Sequence, residues 1–292
     1  MLINILVLGI YQLIFLKEFL FLEKGFFKIR DITGILFLIL SFYFLGLYDD
    51  KHNLSPLKKI FFSIVFIIIS ISLNSNLLVS NFSLSFYSSK IFLENFSIIF
   101  TIFCFLILMN SLNFYDGING QSCIYFLIVF SYLLISSKKY EFYAILIFIL
   151  LFLLILNLMS RLFLGDNGIY VFSIILSVAL IYEHNKYNNI IYADEIFMLL
   201  LLPGLDLLRL TITRVLKGKN PFYGDKNHIH HLLLNKFSLL NTNLILIILG
   251  IAPIIFFNLL SFNFFLVFFI FFAVYVLLIQ SLNSDDKKYN HR

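Results

Sequence analysis

Residues 96–120 read FSIIFTIFCFLILMNSLNFYDGING, and the two halves of this stretch ask for different surroundings. The first seventeen residues, 96–112, carry no charge. As a helix they would rise about 25 Å, most of a hydrocarbon core of about 30 Å. A bilayer offers the backbone no water, so a spanning segment must be a helix or part of a closed barrel. The run is continuous rather than alternating, which selects the helix. From residue 110 the stretch turns abruptly polar, with three asparagines, an aspartate and two glycines in the eleven residues 110–120.

Similar runs recur along all 292 residues, and 61% of the chain is hydrophobic while 13% is charged. The apolar share is well above, and the charged share well below, those of a soluble domain. The expected fold is all-α, a polytopic transmembrane bundle of about ten helices. They are expected near 2–22, 33–48, 57–73, 96–112, 120–137, 142–158, 167–183, 194–213, 242–258 and 261–281. No linker is long enough to divide the chain, so 1–292 reads as one integral-membrane domain, with 214–241 as a substrate-binding loop. The first run lacks a basic lead and a cleavage site, and reads as a retained helix. The formal charge of +5 lies in short loops, as the positive-inside bias places it, and excludes a nucleic-acid reading. Cys104 and Cys123 lack metal or redox spacing and read as small core residues.

Alternate loops divide the basic residues 13 to 8. The richer set marks the cytoplasmic side and puts both termini there. On that same side fall GLYDD (46–50), NSLNFYDGING (110–120), FLGDNG (163–168) and the stretch from Asp206 to His231. Each follows an even-numbered expected helix. Carboxylates grouped at helix ends on one side argue against a transport pathway, which would place ionisable groups near midplane.

These residue types suit phosphate chemistry. Asp166, Asp49 and the Asn113 carbonyl are hard oxygen ligands of the kind Mg²⁺ takes alongside water and substrate phosphates. Thiolates are absent from the four segments and HIHH lacks zinc spacing. Arginine, lysine and histidine suit a diphosphate. Each residue also has a plainer role available: a solvated helix end for Asp49 and Asp50, a turn for Asp116 and Asp166, an interfacial position for a lone histidine.

The chain resembles the polyprenyl-phosphate N-acetylhexosamine-1-phosphate transferase superfamily, glycosyltransferase family 4, in the branch that uses simple UDP-N-acetylhexosamines. The markers are GLYDD followed by LSPLKK, then N-x-x-N-x-x-DG-x-x-G at Asn110, Asn113, Asp116, Gly117 and Gly120. Asn157 then precedes Asp166 of FLGDNG, and LPGLDLLRLTITRVLKGKNPFYGDKNHIHH closes the series. The resemblance implies transfer of HexNAc-1-phosphate from a UDP-sugar to undecaprenyl phosphate, with release of UMP, at the cytoplasmic face of the bacterial inner membrane. By position, Asp49 and Asp50 would be catalytic, and Asp166 with Asn113 would hold Mg²⁺, or Mn²⁺ in its place. Lys59, Asn110, Asp116, Asn119, Arg214, Asp225, His228, His230 and His231 would bind substrate. The partners implied are UDP-N-acetylhexosamine, undecaprenyl phosphate and the bilayer, with a homodimer as the candidate assembly. Two departures from the family pattern are the start at what corresponds to its second helix and Ile169 in place of a serine. They keep an alternative open, a weakened relative that binds the lipid carrier or a partner enzyme.

Overall fold

The computed structural model describes residues 29–137, 139–185, 191–220, 227–260 and 262–289. The expected helix at 2–22 lies outside them. The remaining nine expectations each meet a helix. α1 (Ile29–His52) and α2 (Pro56–Leu73) are followed by a small hairpin, β1 (Asn81–Leu84) with β2 (Tyr87–Phe92). Then come α3 (Ser97–Tyr115), α4 (Gln121–Ser136), α5 (Tyr140–Leu158) and α6 (Gly165–Asn185). α7 (Ala193–Leu199) and α8 (Leu201–Leu216) lead to the short α9 (Ile229–Leu234), α10 (Leu239–Ile254) and α11 (Phe264–Tyr289). Among the described residues seven helices are long and apolar enough to cross a membrane, or eight with the bent pair α7–α8 counted as one span. The chain is an all-α, multi-pass membrane protein.

One expected helix, 194–213, is broken. α7 and α8 meet at Leu200 with a bend of 70°. Pro203 has no amide hydrogen to give the Leu199 carbonyl one turn earlier, and its ring crowds that carbonyl. Tyr125 of α4 supplies the missing donor, its hydroxyl giving a 3.0 Å hydrogen bond to Leu199 O. A freed carbonyl inside a bilayer has to be satisfied by a neighbour in this way. The bend swings α8 out so that its last turn carries Arg214 toward the polar end of the bundle.

The hairpin was not foreseen by helical periodicity. Asp194, at the start of α7, accepts hydrogen bonds from the Ser85 amide and hydroxyl at the hairpin turn. His184, in the last turn of α6, lies between the carbonyls of Ile191 and Asn81, at 3.0 and 3.2 Å. The end of the bundle opposite the polar motifs is therefore closed by side-chain bonds to backbone.

α1 packs along α6, with Phe42 meeting Tyr170 edge to face at 6.4 Å. Apolar burial gains little between helices in lipid, so close packing at small residues does more of the work. Gly46 shows how close the approach is: a Cβ there would lie 2.4 Å from the Asn167 Cα. Gly46→Ala is expected to force α1 and α6 apart and to destabilise the protein by about 1–3 kcal/mol. Thermal unfolding of the purified variant in detergent, compared with wild type, measures this.

Candidate functional site

The ends of α1, α2 and α6 converge on an acidic cluster. Asp49 sits in the last turn of α1 and is 1% exposed. Its carboxylate pairs with Lys59 at the start of α2 and accepts from the Leu54 amide at 2.9 Å and the Tyr170 hydroxyl at 3.1 Å. The Lys59 ammonium also reaches Asp166 Oδ2 at 3.3 Å, so it bridges two carboxylates. Asp50 points elsewhere: it accepts from the amides of Asp166 at 2.8 Å and Asn167 at 3.3 Å. These are first-turn amides of α6, so Asp50 caps a helix other than its own, where a negative charge meets the positive end of the dipole. The adjacent aspartates thus serve different partners, as residues about 100° apart on a helix must.

A second cluster gathers around the α3–α4 turn. Asn157 accepts from the Gly120 amide and donates to Leu162 O at 2.9 Å. Asn119 donates to Ser160 Oγ at 2.8 Å, and its carbonyl accepts from Asn243 at 3.0 Å. These bonds tie the α3–α4 turn to the α5–α6 turn, whose last residues lead into Asp166. Asn110 gives its amide to Leu106 O at 2.7 Å, within its own helix. The Asn113 side chain, half-buried one turn further on, makes no hydrogen bond among the described residues. Asp116 lies beside Ser122, and burial pushes its carboxyl up to about 6.

The histidine loop folds onto this turn. His228 stands outside α9 with extended backbone (φ −62°, ψ 149°), and the helix begins at Ile229. His228 consequently stacks on His230, ring centroids 5.3 Å apart and planes 9° from parallel, while His231 meets His230 edgewise at 4.2 Å. His230 presses its Nε2 against Gly117, where an added Cβ would come within 1.8 Å. No other residue fits there with the histidine in place. Burial and the neighbouring His231 and His228 hold the His230 pKa down at about 3, so the ring stays neutral. Phe114, at the end of α3, lies 5.6 Å from the His228 ring and 5.6 Å from the buried Arg214 guanidinium, within cation–π range. Asp225 lies outside the described residues.

Several residues in and around the site, Phe114 among them, were not singled out from sequence. Tyr170 and Gln121 sit in or beside apolar runs, and Tyr275 is a single hydroxyl in the most apolar stretch of α11. Arg209 appears only as a basic residue three positions after Asp206. That spacing puts the two on one helix face and is a usable signal.

The residues at the acidic end fit a divalent cation. Asp49 and Asp166 lie within hydrogen-bonding reach of each other, with Lys59 as the cation they share, and their carboxylate oxygens are hard donors of the kind a divalent cation takes. Among the described residues no three metal-ligating side chains form a closed cage. A cation here would take its remaining ligands from water and phosphate, as Mg²⁺ usually does.

Carboxylates, an ammonium group, a guanidinium and stacked imidazoles thus gather at one end of a multi-pass membrane bundle. The chain matches the model of Glycosyl transferase family 4 over residues 32–184, more than half its length, and belongs to that family. Among curated proteins it is similar to the undecaprenyl-phosphate alpha-N-acetylglucosaminyl 1-phosphate transferases of Escherichia coli O157:H7, Escherichia coli strain K12 and Shigella flexneri. Each is 26% identical over 203 residues, covering 65% of this chain and 55% of the relative. The chain thus spans about half the length of the curated relatives it matches. The family match covers the acidic cluster and ends before α8 and the histidine loop.

Asp116 offers a test that needs no substrate. Its carboxyl titrates near 6 in the fold against 3.8 unfolded. A raised carboxyl pKa means that the folded state holds the proton more tightly, so this contribution to stability is full below about pH 4 and lost as pH rises through about 6. Asp116→Asn is expected to match wild type in thermal stability at pH 4 and to exceed it progressively up to pH 7. Melting curves across that range would show it; a constant difference would not fit.

Proposed function

We propose that this chain transfers an N-acetylhexosamine-1-phosphate from a UDP-sugar to undecaprenyl phosphate, releasing UMP. The observation that carries the reading is the convergence, at one end of the bundle, of the Asp49–Lys59–Asp166 cluster with the Phe114–Arg214–His228–His230 cluster. One suits a lipid phosphate at the membrane surface and the other a nucleotide-linked diphosphate. The relatives' names give undecaprenyl phosphate and an N-acetylglucosaminyl 1-phosphate group, which supports the acceptor and the transferred group of this reading.

In this reaction an oxygen of the lipid phosphate attacks the phosphorus that bears the sugar, and the bond to UMP breaks. Such transfers need alignment and neutralisation of charge more than covalent help from the protein. Asp49 and Asp50, at the end of α1, face the acceptor, and Asp49 takes the acceptor's proton where it arrives protonated. Lys59 holds Asp49 and Asp166 close together despite their like charge. Asp166 and Asn113 would hold Mg²⁺, which when bound neutralises the diphosphate. Arg214, fixed over Phe114, and the histidine pair meet the donor's phosphates and sugar, with Asp116 and Asn119 at the nucleotide side. The site faces the cytoplasm of the bacterial inner membrane.

Purified protein or membranes incubated with radiolabelled UDP-GlcNAc or UDP-GalNAc and undecaprenyl phosphate should yield labelled lipid and UMP. Asp166→Asn should lower turnover by orders of magnitude, and a chelator should abolish it. Labelled lipid formed equally well in chelator would count against the hard-cation part of the reading. Binding of undecaprenyl phosphate without turnover would instead mark a lipid-binding relative that has lost catalysis. For orientation, Asn227→Cys should resist an impermeant thiol reagent applied outside intact cells.

A further inference from the structure

Asp206 lies in α8, 2% exposed, in a part of the chain the family match does not reach. A carboxylate buried so deeply needs full satisfaction by donors. Oδ1 accepts from Arg209 Nη2 at 2.7 Å and from the Tyr275 hydroxyl of α11 at 2.8 Å. Oδ2 faces His228 Nδ1 at 2.9 Å. Arg209 also donates to Tyr275 Oη at 2.8 Å and to the Asn227 carbonyl at 2.6 Å, immediately before His228. The Ile229 amide points at the same carboxylate from 3.3 Å. Three segments distant in sequence therefore close around one side chain.

We infer that Asp206, braced by Arg209 and Tyr275, is a positioning residue that fixes the proton of His228 on Nδ1 and presents Nε2 to the donor substrate. The reasoning is one of donors and acceptors. An ionised carboxylate only accepts, so the ring nitrogen facing it must carry the proton, whether the imidazole is neutral or charged. Nε2 makes no hydrogen bond among the described residues and is left for a ligand. A histidine whose partner fixes tautomer and orientation loses much of its effect when that partner is changed, by about 10- to 100-fold at metal-ligating histidines, the nearest measured analogy. The contribution to catalysis rests on the function proposed above; the tautomer does not.

The two oxygens of Asp206 have separate duties, which makes Asp206→Asn an informative change. Arg209 and Tyr275 retain the amide oxygen in the Oδ1 position. The NH₂ group then replaces Oδ2 and donates toward His228 Nδ1, which drives the ring proton to Nε2. Shape is preserved while the tautomer reverses.

The test uses the full-length protein, ¹⁵N-labelled at histidine and purified in detergent, with His228→Gln to assign the resonance. At pH 8 the wild-type His228 is expected to show a protonated Nδ1, and Asp206→Asn a neutral ring protonated at Nε2. Tyr275→Phe, which leaves Oδ2 in place, is expected to keep the wild-type signature. In the transferase assay Asp206→Asn should lose about 10- to 100-fold in kcat/KM for the UDP-sugar, with Tyr275→Phe losing less. An unprotonated Nδ1 in wild type overturns the inference whatever the activity, and this holds even if Asp206→Asn fails to fold. The wild-type signature with Asp206→Asn fully active also overturns it. If wild type transfers no sugar phosphate, the functional reading falls while the histidine spectrum still decides the tautomer.

Discussion

An ammonium group held between two carboxylates is the joint on which the polar end of this bundle turns. Lys59 enters from α2, Asp49 from α1 and Asp166 from α6, so one cation fastens three helices where each leaves the apolar layer. Without it the two acidic groups would face each other across a few ångströms with only partial access to water. Buried ion pairs add little net stability when intact but cost several kcal/mol when one partner is removed. The arrangement is therefore better read as setting geometry than as a source of stability.

Much of the surrounding structure follows from that joint. For Asp49 and Asp166 to share Lys59, α1 and α6 must run within backbone contact, which Gly46 permits against Asn167. Asp50 then falls over the first amides of α6 and neutralises that helix end. Further along, Asn119 and Asn157 lock the α3–α4 and α5–α6 turns together, which brings the acidic cluster and the histidine loop to the same end. The break at Leu200 has a matching consequence. By surrendering one helical bond to Tyr125, the chain turns α8 through 70° and delivers Asp206, Arg209 and Arg214 to the loop that needs them.

The fold class and the placing of polar groups were legible in the sequence because a bilayer leaves few options. A long uncharged run such as 96–112 must be helical, and charges collected at alternate gaps must share a side. The resemblance supplied the residues to look at, and the structure brings most of them into two adjoining clusters. What stayed hidden depended on partners far away in sequence. Pro203 announces a weak point but not that Tyr125 would repair it. Tyr275, a single hydroxyl among phenylalanines, gives no local hint that it braces a carboxylate nearly seventy residues earlier. The alternatives for HIHH could not be separated either, since an extended strand pairs His228 with His230 and a helix pairs His228 with His231. The chain does some of each: the helix starts one residue late, leaving His228 extended and stacked on His230.

That stack carries a constraint on charge. The two rings are nearly parallel but are held by partners of opposite kind. His228 Nδ1 faces a carboxylate and must donate, whereas His230 Nδ1 faces the Gln121 side-chain amide nitrogen at 3.3 Å and accepts. His230 therefore carries its proton on Nε2, the atom pressed against Gly117. Its burial keeps it neutral to about pH 3. Two stacked imidazolium ions would repel each other in a poorly solvated site; here only one ring has a counterion within reach. Of the two rings, His228 is the one with a carboxylate, Asp206, behind it and with Arg214 across the Phe114 ring. The stack thus sets a donating Nδ1 on His228, facing Asp206, beside an accepting Nδ1 on His230, facing Gln121, so two adjacent rings of one short loop are held in opposite tautomers by partners from different helices.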